Sequence, residues 1–212
     1  MEASGAPQPT RSVSAQASAA ASRVARQRRA APNGIWGMAL FLCAEITLFG
    51  TLLATYFYID FQAHRWPPAP IKPPGTLYPS LATAWLVLAV VPMWIASRAA
   101  RAGNKPLTLW SIALGLAMQA VYLAAQVLLF RHDILQFSPR GSAYGSIYFT
   151  LLATHHAHVV LGMALDLALI WFVLLRGLTN YWMVGVRGLA IYWYVVAILA
   201  VPVLLTQLTP SL

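Results

Sequence analysis

The chain has 212 residues, 59% of them apolar and only 9% charged, with 14 Lys and Arg against 5 Asp and Glu for a formal net charge of +9. Soluble domains carry about 25% charged residues, so most of this surface is not built for water. The basic excess lies between apolar runs, which is the pattern of membrane topology determinants and argues against a nucleic-acid partner.

Residues 1–31 are rich in Ala, Ser and Arg and contain no aromatic residue. Such a segment is too polar to pack a core and is predicted to be a disordered basic tail. Its Arg-rich, acid-poor character also suits an organelle transit peptide, which keeps a mitochondrial inner membrane open as an alternative location. Glu2 and the cluster Arg23, Arg26, Arg28 and Arg29, next to the first apolar run, fit a cytoplasmic anchor better.

Five stretches then reach the roughly 20 apolar residues needed to cross the hydrocarbon: Ile35–Ile59, Leu77–Ser97, Leu107–Phe130, Tyr144–Leu175 and Val186–Leu208. The prediction is an all-α integral membrane bundle of five transmembrane helices over residues 32–212. Pro92 and Pro202 lie inside spans and are expected to kink them locally. The linker Asp60–Thr76, with Trp66-Pro67-Pro68 and Pro73-Pro74, is expected as a stiff, extended surface segment. Trp36, Tyr56, Tyr58, Trp110, Trp182 and Trp193 lie near span ends, where aromatic residues anchor at the interface. Cys43, the single cysteine, excludes an internal disulfide and is expected as a small buried apolar side chain.

Lys and Arg fix the orientation. One side receives Arg11, Arg23, Arg26, Arg28, Arg29, Arg98, Arg101, Lys105, Arg176 and Arg187, and the other only Arg65, Lys72, Arg131 and Arg140. The tail is therefore expected in the cytoplasm and Leu212 on the far side, in a bacterial plasma membrane.

Ionisable residues at membrane depth are functional-site hypotheses by default. Glu45 lies about ten residues into the first span, roughly 15 Å along the helix. It is either a neutral carboxyl that hydrogen-bonds two helices together or a proton-relay group. In the fourth span, His155 and His158 share a helical face, His156 points about 100° away, and Asp166 returns near the azimuth of His155 some 16 Å further on. Too few histidines are present for a multi-box di-iron site, so interhelical hydrogen bonding is favoured over metal ligation and no metal or cofactor is expected in this chain.

Three ordered blocks carry a family resemblance. Trp36-Gly37-Met38-Ala39-Leu40-Phe41 with Ala44-Glu45 and Phe49, then Tyr144-Gly145-Ser146 through His155 and His158 to Gly162, then Ala190-Ile191-Tyr192-Trp193, together resemble subunit III of the haem-copper respiratory oxidases (cytochrome c oxidase and quinol oxidase) in its five-helix form. The resemblance implies an accessory subunit, not catalytic alone, in a complex that reduces O2 to water. It implies packing on subunit I within a complex with subunit II, haem and copper held by those partners, bound phospholipid, and support of proton uptake and of active-site integrity. Glu45, His155 and His158 match the family positions, and Arg176 is a candidate partner for a lipid phosphate.

Some positions depart from the family. Its last helix continues Trp-His-Phe-Val-Asp, where this chain has Tyr194 for the His and Ala197 for the Asp; His156 stands where Gly is common, and Asp166 is an addition that could replace the missing polar contact. Two other readings stay open: a subunit III-like companion of nitric oxide reductase, and a small transporter lined by Glu45, the histidines and Asp166. The absence of an internal repeat speaks against the transporter.

Overall fold

The computed structural model describes residues 33–71 and 75–208. The tail 1–31, Lys72-Pro73-Pro74 and Leu212, about which the sequence made expectations, lie outside the described residues. The described chain is all helical: α1 (Asn33–Gln62), α2 (Leu77–Leu88), α3 (Val90–Arg101), α4 (Lys105–Gln136), α5 (Ala143–Arg176) and α6 (Asn180–Leu208). α2 and α3 together form one span, which gives five helices long and apolar enough to cross a membrane. They contain 25 to 34 residues each, or roughly 38–51 Å at 1.5 Å per residue. Their ends therefore run past a hydrocarbon core of about 30 Å, which is why the helices exceed the apolar stretches read from the sequence.

The break between α2 and α3 follows from Pro92. With no N–H to offer, it leaves the Leu88 carbonyl without its i+4 donor, and the helix is interrupted at Ala89, whose own N–H still bonds Trp85 O at 3.0 Å. Pro202 sits within α6 without interrupting it. Short connections turn the chain between long helices. Gly103 (φ +70°) supplies the left-handed residue between α3 and α4, and Asn104 then caps α4 by accepting from Leu107 N at 3.1 Å. Ser142 caps α5 by accepting from Gly145 N at 3.1 Å.

α6 is the centre of the bundle and packs against α1, α2, α3 and α5; α4 packs against α2, α3 and α5; among the described helices α1 packs only against α5 and α6. The buried stripe of α1 is Leu42, Phe49 and Tyr56, seven residues apart, so one face docks and the rest stays outside. Cys43, one residue round from Leu42, is exposed, which corrects the expectation that it is buried.

Lipid tails are as apolar as the side chains, so helices in a membrane associate through close packing and interhelical hydrogen bonds. Aromatic donors supply most of these bonds. Tyr56 Oη donates to Thr206 O at 2.6 Å (α1–α6), Trp85 Nε1 to Met118 O at 2.9 Å (α2–α4), and Tyr148 Oη to Asp133 Oδ2 at 2.6 Å (α4–α5). Tyr56 and Trp193 are fully buried and are bundle-internal links, not the interfacial anchors that their position suggested; Trp36, Tyr58 and Trp110 are exposed. The linker also departs from expectation. Trp66 tucks in and donates from Nε1 to Tyr56 Oη at 2.9 Å, its ring edge-on to Tyr144 at 4.9 Å, and Pro67 is buried.

Candidate functional site

Glu45 lies on the docking face of α1, three residues after Leu42 and four before Phe49, so its carboxylate is carried into the α1–α5 seam. There Glu45 Oε2 meets His158 Nε2 in a short contact. His158 Nδ1 in turn contacts the Thr154 carbonyl, one helical turn back, at 2.6 Å, and Tyr192 Oη of α6 donates to His158 O at 2.6 Å. The Phe49 ring packs edge-on against the imidazole at 5.2 Å. Three helices thus converge on one residue.

The proton inventory of this pair follows from the geometry. A carbonyl oxygen only accepts, so the Thr154 contact requires a proton on His158 Nδ1. The contact between Nε2 and Oε2 requires one more proton between them. With Oε1 bare, the pair as a whole carries no net charge whether that proton rides on the imidazole or on the carboxyl. This resolves the energetic problem of a carboxylate at this depth, because a net-neutral, hydrogen-bonded pair avoids most of the penalty for isolated charge. The pair's side chains keep 15% and 13% of their surface, so the seam is narrow but not sealed.

His155 does not join this pair. At i and i+3 the two histidines are about 60° apart round the helix, enough to send them to different neighbours. Fully buried, His155 turns toward α4, where its ring meets Tyr122 edge-on at 6.2 Å, and Phe49 touches it from the other side at 6.2 Å. His156 is half-buried against Phe130 at 5.9 Å. Asp166 shares the buried stripe of α5 with His155 and accepts from Trp193 Nε1 of α6 at 3.1 Å. This buried α5–α6 bond lies one residue before Tyr194, where the resemblance led one to expect a different polar residue. Gly162 makes the approach possible: a Cβ there would sit 2.5 Å from Trp193 Cζ2 and 2.7 Å from Tyr192 Cε1. Arg176 is exposed in the last turn of α5.

Sequence reasoning missed Thr154, Tyr192 and Trp193 as partners of the titratable groups, and missed the polar inner face of α4. The signal for α4 was present, since Thr108, Ser111, Gln119, Tyr122 and Gln126 recur at helical spacing in an otherwise apolar span. Among the described residues, no three His, Cys, Asp or Glu come together in a way that could hold a metal ion.

The bundle and its Glu45–His158 pair define a multi-pass membrane protein whose titratable groups tie helices together. The chain belongs to the cytochrome c oxidase subunit III family, which it matches over residues 17–207. It is 30% identical over 151 residues to quinol oxidase subunit 3 of Bacillus spizizenii, a match covering 68% of this chain and 71% of that one. It is 29% identical over 152 residues to the probable quinol oxidase subunit 3 of Staphylococcus haemolyticus, covering 70% and 73%. It is 27% identical over 133 residues to cytochrome c oxidase subunit 3 of Pelomedusa subrufa, covering 60% of this chain and 50% of the relative. The chain thus spans about half the length of the animal relatives it matches.

Proposed function

We propose that this chain is the accessory subunit III of a haem-copper terminal oxidase. In this reading it packs on the haem- and copper-bearing subunit I, in a complex with subunit II, and supports proton uptake and the integrity of the oxygen-reducing centre without carrying a redox group. The observation that carries the reading is the uncharged Glu45–His158 pair, which joins two helices at membrane depth in a chain of this family. One proton shared between a carboxyl and an imidazole can shift along the contact without adding net charge to the hydrocarbon, so the pair suits a proton-related role as well as a structural one. His155 and Asp166 belong to the interhelical part of the site, and Arg176 to binding of a phospholipid headgroup. The distribution of Lys and Arg supports a cytoplasmic N-terminus, and the coverage of the bacterial relatives supports a bacterial plasma membrane.

The test is purification of the tagged full chain from its native membrane in mild detergent, with mass spectrometry, a visible spectrum and gas-consumption assays. The expected result is a co-purifying haem protein with oxygen-reducing activity. A chain that purifies alone, or with a partner that reduces nitric oxide and not oxygen, refutes the reading.

A further inference from the structure

α4 buries polar residues where a membrane helix in a monomeric bundle is expected to bury apolar ones. Its fully buried positions are Thr108, Ser111, Ile112, Gly115, Gln119, Tyr122 and Gln126. Facing them, α5 buries His155 and Asp166. Across this interface six buried polar atoms have no hydrogen-bond partner among the described residues: both amide atoms of Gln119, Oε1 of Gln126, both ring nitrogens of His155, and Oδ1 of Asp166. Gln126 Nε2 reaches Tyr122 Oη at 3.3 Å, and Asp166 uses only Oδ2 on Trp193. Gln119 lies beside Asp166 without completing a bond of good geometry.

Buried polar groups in folded proteins find partners, because each one left without any forfeits the bonds it had in water. Six such losses together are comparable with the stability margin of a folded chain. Gln119 Nε2, the Tyr122 hydroxyl and one ring nitrogen of His155 can donate here, but none of the six atoms lies in bonding geometry with another. Met93 of α3 lies over Gly115, with Sδ 2.8 Å from where a Cβ would be, and the Trp193 and Tyr192 rings fill the space over Gly162. The two amide oxygens only accept, so neither can satisfy the other. A small molecule that both donates and accepts can partner donors and acceptors of this set at once. Buried water is the usual solution, making two to four bonds to such groups.

We propose that the α4–α5 interface holds internal water at two positions, one bonded to Gln119 and Asp166 Oδ1, the other to Gln126 Oε1 and the His155 ring. The inference is independent of the assembly this chain joins. These waters give Asp166 and His155 exchangeable partners inside the bundle and let α4 present a polar face to its neighbours.

The test uses the full chain in lipid nanodiscs, together with any haem protein that accompanies it. A cryo-EM map near 2 Å resolution is expected to show non-protein peaks about 2.6–3.2 Å from these atoms at both positions. Direct Gln119–Asp166 and Gln126–His155 bonds with no peaks between them overturn the proposal. As a second measurement, Gln119→Met keeps side-chain length and removes a water partner whose two amide atoms have no bond among the described residues. It is expected to lower Tm by roughly 2–4 °C. In a dry interface the same change deletes an unpaired group, so an unchanged or raised Tm also overturns the proposal. The map on the unsubstituted chain decides the matter even where a variant fails to fold.

Discussion

Gly162→Ala puts a methyl group where two aromatic rings already are. Its Cβ would lie 2.5 Å from Trp193 Cζ2, 2.7 Å from Tyr192 Cε1 and 2.9 Å from Trp193 Cη2, against ordinary contact at about 3.5–4.0 Å. Neither ring can swing aside cheaply. Trp193 is tied to Asp166 at 3.1 Å and Tyr192 to His158 O at 2.6 Å, and both are fully buried. α5 and α6 must therefore separate by about 1 Å. Overpacking of this kind costs about 2 kcal/mol, and straining the two hydrogen bonds adds about 1.5 kcal/mol. A loss on the order of 3–4 kcal/mol is a large part of a typical stability margin and corresponds to a fall in melting temperature of about 7–14 °C, readable by scanning fluorimetry in detergent. Gly50→Ala is the control, since nothing lies within 4 Å of its added Cβ, and it is expected to leave the melt unchanged or slightly raised. The double variant Gly162→Ala with Trp193→Phe removes the ring that carries Cζ2 and Cη2 and should recover part of the loss beyond additivity. If Gly162→Ala melts within a degree or two of the parent, the α5–α6 packing described above is wrong.

At Glu45, Gln is expected to preserve the bond to His158, because its amide N–H donates to the unprotonated Nε2; Leu leaves that nitrogen unpaired and costs about 1–3 kcal/mol in the same melt. Equal destabilisation by Gln and Leu would refute the single shared proton. Gly145→Ala places a Cβ 2.5 Å from the Ser138 carbonyl oxygen and should displace the loop that carries the Ser142 cap, lowering stability by about 1–3 kcal/mol; protease cleavage between residues 138 and 142 should quicken in step. Trp66→Phe keeps most of the edge-on packing on Tyr144 but loses the bond to Tyr56, so a loss of about 1 kcal/mol is expected, and none at all would mean the linker does not dock.

The five spans were legible because length and apolar content alone decide what crosses a bilayer, and their true ends were not, because helices continue through the polar headgroups where the apolar signal stops. Which way a side chain faces was harder. Tyr56 and Trp193 sit where interfacial anchors are found, yet both point inward and bond across helices; composition near a helix end does not encode azimuth. Glu45 could be singled out from the sequence, but its partner could not, since His158 is 113 residues away in sequence. Likewise His155 and His158 looked like one face, yet the fold sets His155 against Tyr122 of α4 and His158 against Glu45 of α1, with Phe49 near both rings.

The contact order of the bundle bears on how it is made. Among the described helices α1 rests only on α5 and α6, and α6 rests on every other one except α4. During synthesis α1 therefore enters the lipid well before either of its neighbours exists, with the Glu45 carboxyl exposed to tails or to an insertion chaperone. It gains a permanent place only when the C-terminal segment has been threaded. A ribosome stalled before residue 180 should leave α1 and its acid unmoored, which makes the final helix the step that commits the nascent chain to its fold.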